Sequence, residues 1–113
     1  MKRLLIPILL LMLISCGKDD ETLHITDFSE PRTVYLEPYD NLSYAMMNIW
    51  VKGYVNDTVL VKLHNKDSEP ILKLSGNIDV RWYQDYYGGR NKIVIFEPYK
   101  ATEGNLELKM QLN

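Results

Sequence analysis

The side chains that could carry chemistry are few. His24 and His64 stand in unrelated contexts, and neither has a second histidine three or four positions away, the spacing that sets two imidazoles on one metal. No serine occupies a nucleophile elbow, and Leu74-Ser75-Gly76 reads as a turn after a strand. Gly88-Gly89 leads into Arg90-Asn91-Lys92 and a strand-like run, not into the helix whose N-terminus would hold a phosphate. Asp79, Asp85 and Glu97 lack the tight spacing of a calcium loop and read as surface charge. These patterns argue against an enzyme and against any metal or organic cofactor.

What remains is an aromatic cluster, Trp82-Tyr83-Gln84-Asp85-Tyr86-Tyr87-Gly88-Gly89-Arg90. On a strand, alternate side chains point to opposite faces, so these rings cannot all turn inward. With Trp82 in the core, Tyr83 points to solvent and the following loop carries Tyr86 and Tyr87. Tyrosine offers an apolar face and a hydroxyl at low entropic cost, and arginine adds a forked donor. Tyr83, Asp85, Tyr86, Tyr87 and Arg90 are therefore the candidate binding residues, suited to a sugar ring or a protein partner. The competing explanation is that the rings pack on one another and cover an open end of the fold.

The elements that position this cluster have a period of two, not 3.6. Leu106, Leu108, Met110 and Leu112 alternate with Glu107, Lys109 and Gln111 after a Gly104-Asn105 turn. Ile78, Val80 and Trp82 alternate with Asp79, Arg81 and Tyr83, and residues 92–96 form an apolar, β-branched run. These two segments read as a hairpin with a long aromatic tip. Asn56-Asp57 reads as a second, two-residue hairpin turn between residues 51–55 and 58–63. Residues 42–55 fit a helical stripe or a strand face, and the β-branched and aromatic content favours strand. Weaker strands are expected at 22–28, 33–36 and 71–74. Glu37-Pro38-Tyr39 recurs as Glu97-Pro98-Tyr99, each after an apolar run, as suits strand exits. Seven or eight short strands without a convincing helix predict an all-β domain, a small antiparallel β-sandwich of Ig-like or jelly-roll type, with a small β-barrel as the alternative.

The first residues have a different character. Met1-Lys2-Arg3 is basic, residues 4–14 are apolar apart from Pro7, and Ser15 precedes the chain's single cysteine, Cys16. That is the layout of a secretory signal. Eleven residues of helix span only about 17 Å, against about 30 Å of hydrocarbon, too short to remain as a membrane span. Leu13, Ile14, Ser15 and Cys16 resemble the bacterial lipobox. The resemblance covers the first 16 residues and implies cleavage between Ser15 and Cys16, with lipid on the cysteine sulfur and on the new amine. It thereby explains a lone thiol in an exported chain. One acyl chain binds a membrane marginally, at about 0.8 kcal/mol per buried methylene, and three bind it durably. Gly17 after Cys16, in place of aspartate, favours the outer membrane by the same resemblance. Lys18-Asp19-Asp20-Glu21 resembles the acidic export tag of Bacteroidota surface lipoproteins; the plainer reading is a solvated acidic linker. Asp57-Thr58-Val59 resembles the short O-glycosylation motif of exported Bacteroidota proteins, with Thr58 as acceptor.

The sequence therefore divides into a cleaved leader at 1–15, a lipidated N-terminus and flexible tether at 16–22, and one β-domain at 23–113. Without Lys2 and Arg3, 11 basic residues of the chain's 13 face 15 acidic ones, a net charge of −4 that disfavours nucleic acid as a partner. With Cys16 committed to lipid, packing and hydrogen bonds alone must hold the domain. The expected protein is a lipid-anchored outer-membrane lipoprotein, displayed at the surface or else facing the periplasm. It is expected to be a non-enzymatic binding module for a protein or glycan. The alternatives are an envelope immunity protein against a toxin and a structural subunit of an outer-membrane assembly.

Overall fold

The computed structural model describes residues 17–87 and 90–113. The leader, Ser15 and Cys16 lie outside the described residues. Among those described, six strands and no helix are found: β1 (Asp20–Ile25), β2 (Arg32–Leu36), β3 (Met46–Leu63), β4 (Pro70–Asp85), β5 (Lys92–Glu97) and β6 (Gly104–Leu112). The domain is all-β and antiparallel, as expected. Its sheet runs β1-β6-β3-β5-β2, with β4 added on β3. Lys18 and Glu37 form a bridge between the chain before β1 and the end of β2, exchanging backbone hydrogen bonds of 2.6 and 2.8 Å. The sheet thus curls nearly to closure, a barrel-like form within the small sandwich or barrel that the alternation predicts.

The long strand β3 organises the rest. β4 follows it from Met46 to Lys62, β6 pairs with Met47–Val55, and β5 pairs with Leu60–Leu63. Between Val55 and Val59 the register against β4 shifts, three β3 residues facing only Ser75. Such a bulge bends a strand while leaving Val55 and Val59 on the same, fully buried face. Gly53, at φ +138°, lies just before the bend, where a Cβ would collide with the Asn105 carbonyl oxygen. Inward residues of every strand meet in one core, with Ile25, Leu36, Met47, Ile49, Val61, Phe96, Leu106 and Met110 essentially inaccessible.

Four expectations are corrected. Asn56-Asp57 is not a hairpin turn, because β3 passes straight through it. The Asn56 amide clamps the 98–103 loop instead, donating to Thr102 Oγ1 at 2.7 Å and accepting from the Thr102 and Glu103 N–H groups at 2.9 and 3.2 Å. Residues 78–82 and 92–96 do not pair with each other: β4 lies on β3, and β5 lies between β2 and β3. Ser75-Gly76, read as a turn, is the interior of β4, with Gly76 facing Val55 beside the bulge. Finally, the tether expected over 17–22 is held in the sheet. β1 begins at Asp20 and pairs with Gln111 onward. Main-chain hydrogen bonds to β6 do not depend on side-chain charge; Asp20 projects to solvent, while the half-buried Asp19 and Glu21 are partnered by the Tyr44 hydroxyl and Lys18.

Candidate functional site

The outward side chains of β3 are Asn48, Trp50, Lys52 and Tyr54, and pairing on both sides fixes what stands beside each. Trp50 lies between Arg81 of β4 and Lys109 of β6, and Asn48 between Tyr83 and Gln111. The Arg81 guanidinium lies 4.9 Å from the Tyr83 ring centre and 5.8 Å from that of Trp50. Lys109 Nζ sits 5.4 Å from the Trp50 ring. A cation over an aromatic face is attracted by the ring quadrupole.

Beneath the guanidinium is Asn48, fully buried on what is otherwise a solvent-facing side of the sheet. Its Oδ1 accepts from Arg81 Nε at 3.1 Å and from Nη2 at 2.6 Å. The opposite amide orientation would set N–H donors against the guanidinium, so the fork decides it. Among the described residues Asn48 Nδ2 is left buried without a partner. Such a donor costs about 1–3 kcal/mol. The fold tolerates this penalty where it fixes a charged fork in one orientation. The ion pairs among the described residues are Lys18–Glu21 and Lys62–Glu97, and His24 Nδ1 stands 4.0 Å from Glu107 Oε2. None of these involves Arg81, whose Nη1 N–H groups make no hydrogen bond to the described residues. Next to this strip a depression of about 260 Å³ is lined by Trp50, Lys52, Asp79, Glu107 and Lys109.

The sequence-predicted cluster divides in two. Tyr83 belongs to the flank just described and is 58% exposed. Asp85, Tyr87 and Arg90 come together with His64, Gln84 and Lys92 around a cleft of about 650 Å³ at one end of the barrel. The Tyr87 hydroxyl donates to Asp85 Oδ2 at 3.2 Å. Tyr86, expected to share in binding, is instead 1% exposed. Its N–H donates to the Ala45 carbonyl at 2.9 Å, its hydroxyl to the Arg90 carbonyl, and its ring meets Tyr44 edge-on at 6.0 Å. Burial pushes the Tyr86 hydroxyl above the usual tyrosine range, and the charge of an ionised Tyr44 would add to this. Burial likewise raises Tyr44, whose hydroxyl donates to Asp19 Oδ2 at 3.0 Å. Trp82 is half-buried on the core side, as its period predicts.

The remaining candidates are dispersed. Lys18 pairs with Glu21 at 3.0 Å. Thr58 is half-buried inside the bend of β3, with its N–H on Asp57 Oδ1 at 2.7 Å. Asp79 faces Lys52, while Glu97 is 3.1 Å from Lys62 Nζ. Among the described residues, no group of three or more histidine, cysteine, aspartate and glutamate side chains could hold a metal. Sequence reading missed Asn48, Trp50, Arg81 and Lys109 as a unit. The available signal was the alternation Asn48-Trp50-Lys52-Tyr54, and it becomes a site only when the flanking strands are in register. No protein-family model matches the chain, and no curated protein matches it.

Proposed function

We propose that the chain is a lipid-anchored envelope protein whose β-domain is a non-enzymatic binding module for a carboxylate-bearing partner, glycan or protein segment, taken on the β4-β3-β6 flank. Anchorage through Cys16 is supported by the lipobox-like start, the outer membrane by Gly17 in place of aspartate, and display at the surface by the acidic run Lys18-Asp19-Asp20-Glu21. One observation carries the binding part: a guanidinium fixed by a buried asparagine between two aromatic rings, with donors to spare. Arg81 would take the carboxylate through the Nη1 side of its fork, and the Trp50 and Tyr83 edges would take adjoining ring or apolar surface. Lys109 adds a second cation on the other side of Trp50.

The test uses the soluble Cys16→Ser chain and galacturonate oligomers, with neutral galactose oligomers as controls, in isothermal titration. Acidic oligomers are expected to bind and neutral ones to bind more weakly. Arg81→Ala should lower affinity about tenfold or more, since a charged hydrogen bond contributes roughly 1.5–3 kcal/mol. Arg81→Lys should rescue little, because a point charge cannot reproduce the fork. Equal affinity of wild type and Arg81→Ala would remove the flank from the reading.

A further inference from the structure

We infer that the barrel end carrying Gly17 rests on the lipid headgroups, so that the domain stands end-on against the bilayer with the Tyr87 cleft toward lipid and the Trp50–Arg81 flank toward water. This rests on the lipidation of Cys16 proposed above and adds to it an orientation. The reasoning starts from chain length. Two residues of extended chain reach at most about 7 Å, so Lys18 can stand no farther than that from Cys16. Lys18 is already fixed, by two backbone hydrogen bonds to Glu37, and β1 starts at Asp20. Gly17 is itself docked: at φ +118° a Cβ on it would sit 2.8 Å from Tyr39 Cδ1. A lipid on Cys16 would therefore have no tether behind it, and whatever surrounds Gly17 must meet the membrane.

Contacts lead from Gly17 to the cleft. Tyr39 lies against Gly17, and its N–H donates to Tyr44 Oη at 3.1 Å. Tyr44 meets Tyr86, whose hydroxyl holds the Arg90 carbonyl. The end they close carries the most exposed aromatic residue of the fold, Tyr87 at 79%, and Leu42 at 51%, whose N–H is held by the Tyr39 carbonyl at 3.2 Å. Amphipathic rings settle at the headgroup level. Lys18, Arg90 and Lys92 suit phosphate, while Glu37, Asp40 and Asp85 oppose an excess of anionic lipid. Short attachment and apolar contact, more than net charge, therefore set the orientation.

The lipidated protein is reconstituted in vesicles of phosphatidylethanolamine and phosphatidylglycerol. Its Cys16 sulfur carries lipid, so Tyr87→Cys, Leu42→Cys or Tyr99→Cys each supplies one free thiol for an environment-sensitive dye. Tyr99, 58% exposed after β5, is the control at the far end. Brominated lipid is expected to quench the dye at 87 and 42 severalfold more than at 99. Equal, weak quenching at all three sites on protein that floats with the vesicles would overturn the orientation and leave lipidation standing. A dye at 87 already shielded without lipid would also overturn it, in favour of a protein partner or a second copy. Protein that fails to float and labels at Cys16 would remove the lipidation itself.

Discussion

Tyr83 and Tyr86 are three positions apart and do opposite work. Tyr86 leaves the strand, turns into the end of the barrel and closes it against Tyr44. Tyr83 stays on the outer face and stacks on Arg81. The closed end spends its rings on burial; the flank keeps its rings half in water and sets a cation among them. Similar residue types thus become core or surface by one step of strand parity and by whether a loop crosses an open end. The sharpest break of this contrast is truncation of the neighbours Tyr86 and Tyr87. Tyr86→Ala should cost about 3–5 kcal/mol, as for a large buried ring, because it opens a cavity and frees the Arg90 carbonyl. Tyr87→Ala should cost within about 0.5 kcal/mol. Urea denaturation of the two soluble variants measures both. Equal losses would mean that Tyr87 also belongs to the core.

The closed end should also differ in its response to pH. Burial raises the Tyr86 and Tyr44 hydroxyls above their ordinary values. In the unfolded chain they ionise near pH 10. A group whose folded pKa is raised contributes stability in full below the unfolded value, and the contribution is lost as pH climbs through the folded one. Melting temperature should therefore fall from about pH 10 upward, and Tyr86→Phe, which cannot ionise, should flatten part of that fall. An identical slope in the variant would show that Tyr86 ionises as freely folded as unfolded.

Much of this fold was readable from alternation alone. The last strand was expected from Leu106 to Leu112 and lies there, and Trp82 faces the core as its neighbours require. Pairing was not readable, because period two says which way a side chain points but not which strand lies alongside. Asn56-Asp57 carries the chemistry of a turn, yet the Asn56 amide is taken up by a loop more than forty residues away, and β3 runs on. The acidic start of β1 looked like linker because the main-chain pairing that holds it to β6 does not depend on side-chain charge. Tyr86 continues the inward parity of Ile78, Val80 and Trp82 just beyond β4, a signal lost when the residue is read as part of a loop. The candidate site suffered the same limit, since Trp50 meets Arg81 and Lys109 only through register.

The smallest effect is the most specific to the flank. Tyr83 is mostly exposed and its ring lies 4.9 Å from the Arg81 guanidinium. An exposed cation–π contact contributes about 0.5–1 kcal/mol, so Tyr83→Ala should lower stability by no more than that and Tyr83→Phe by less. A double-mutant cycle with Arg81→Lys separates stacking from mere coverage of Asn48. Lysine keeps a charge but not the planar fork that lies on the ring and reaches Asn48 Oδ1 with two donors. If the ring helps fix the fork, the losses for Tyr83→Ala and Arg81→Lys should sum to more than the double variant loses. Strict additivity would mean that Tyr83 does not hold Arg81. The fork would then depend on Asn48 and the Trp50 ring, and Asn48→Ala should mobilise Arg81 as fully with the Tyr83 ring present as without it.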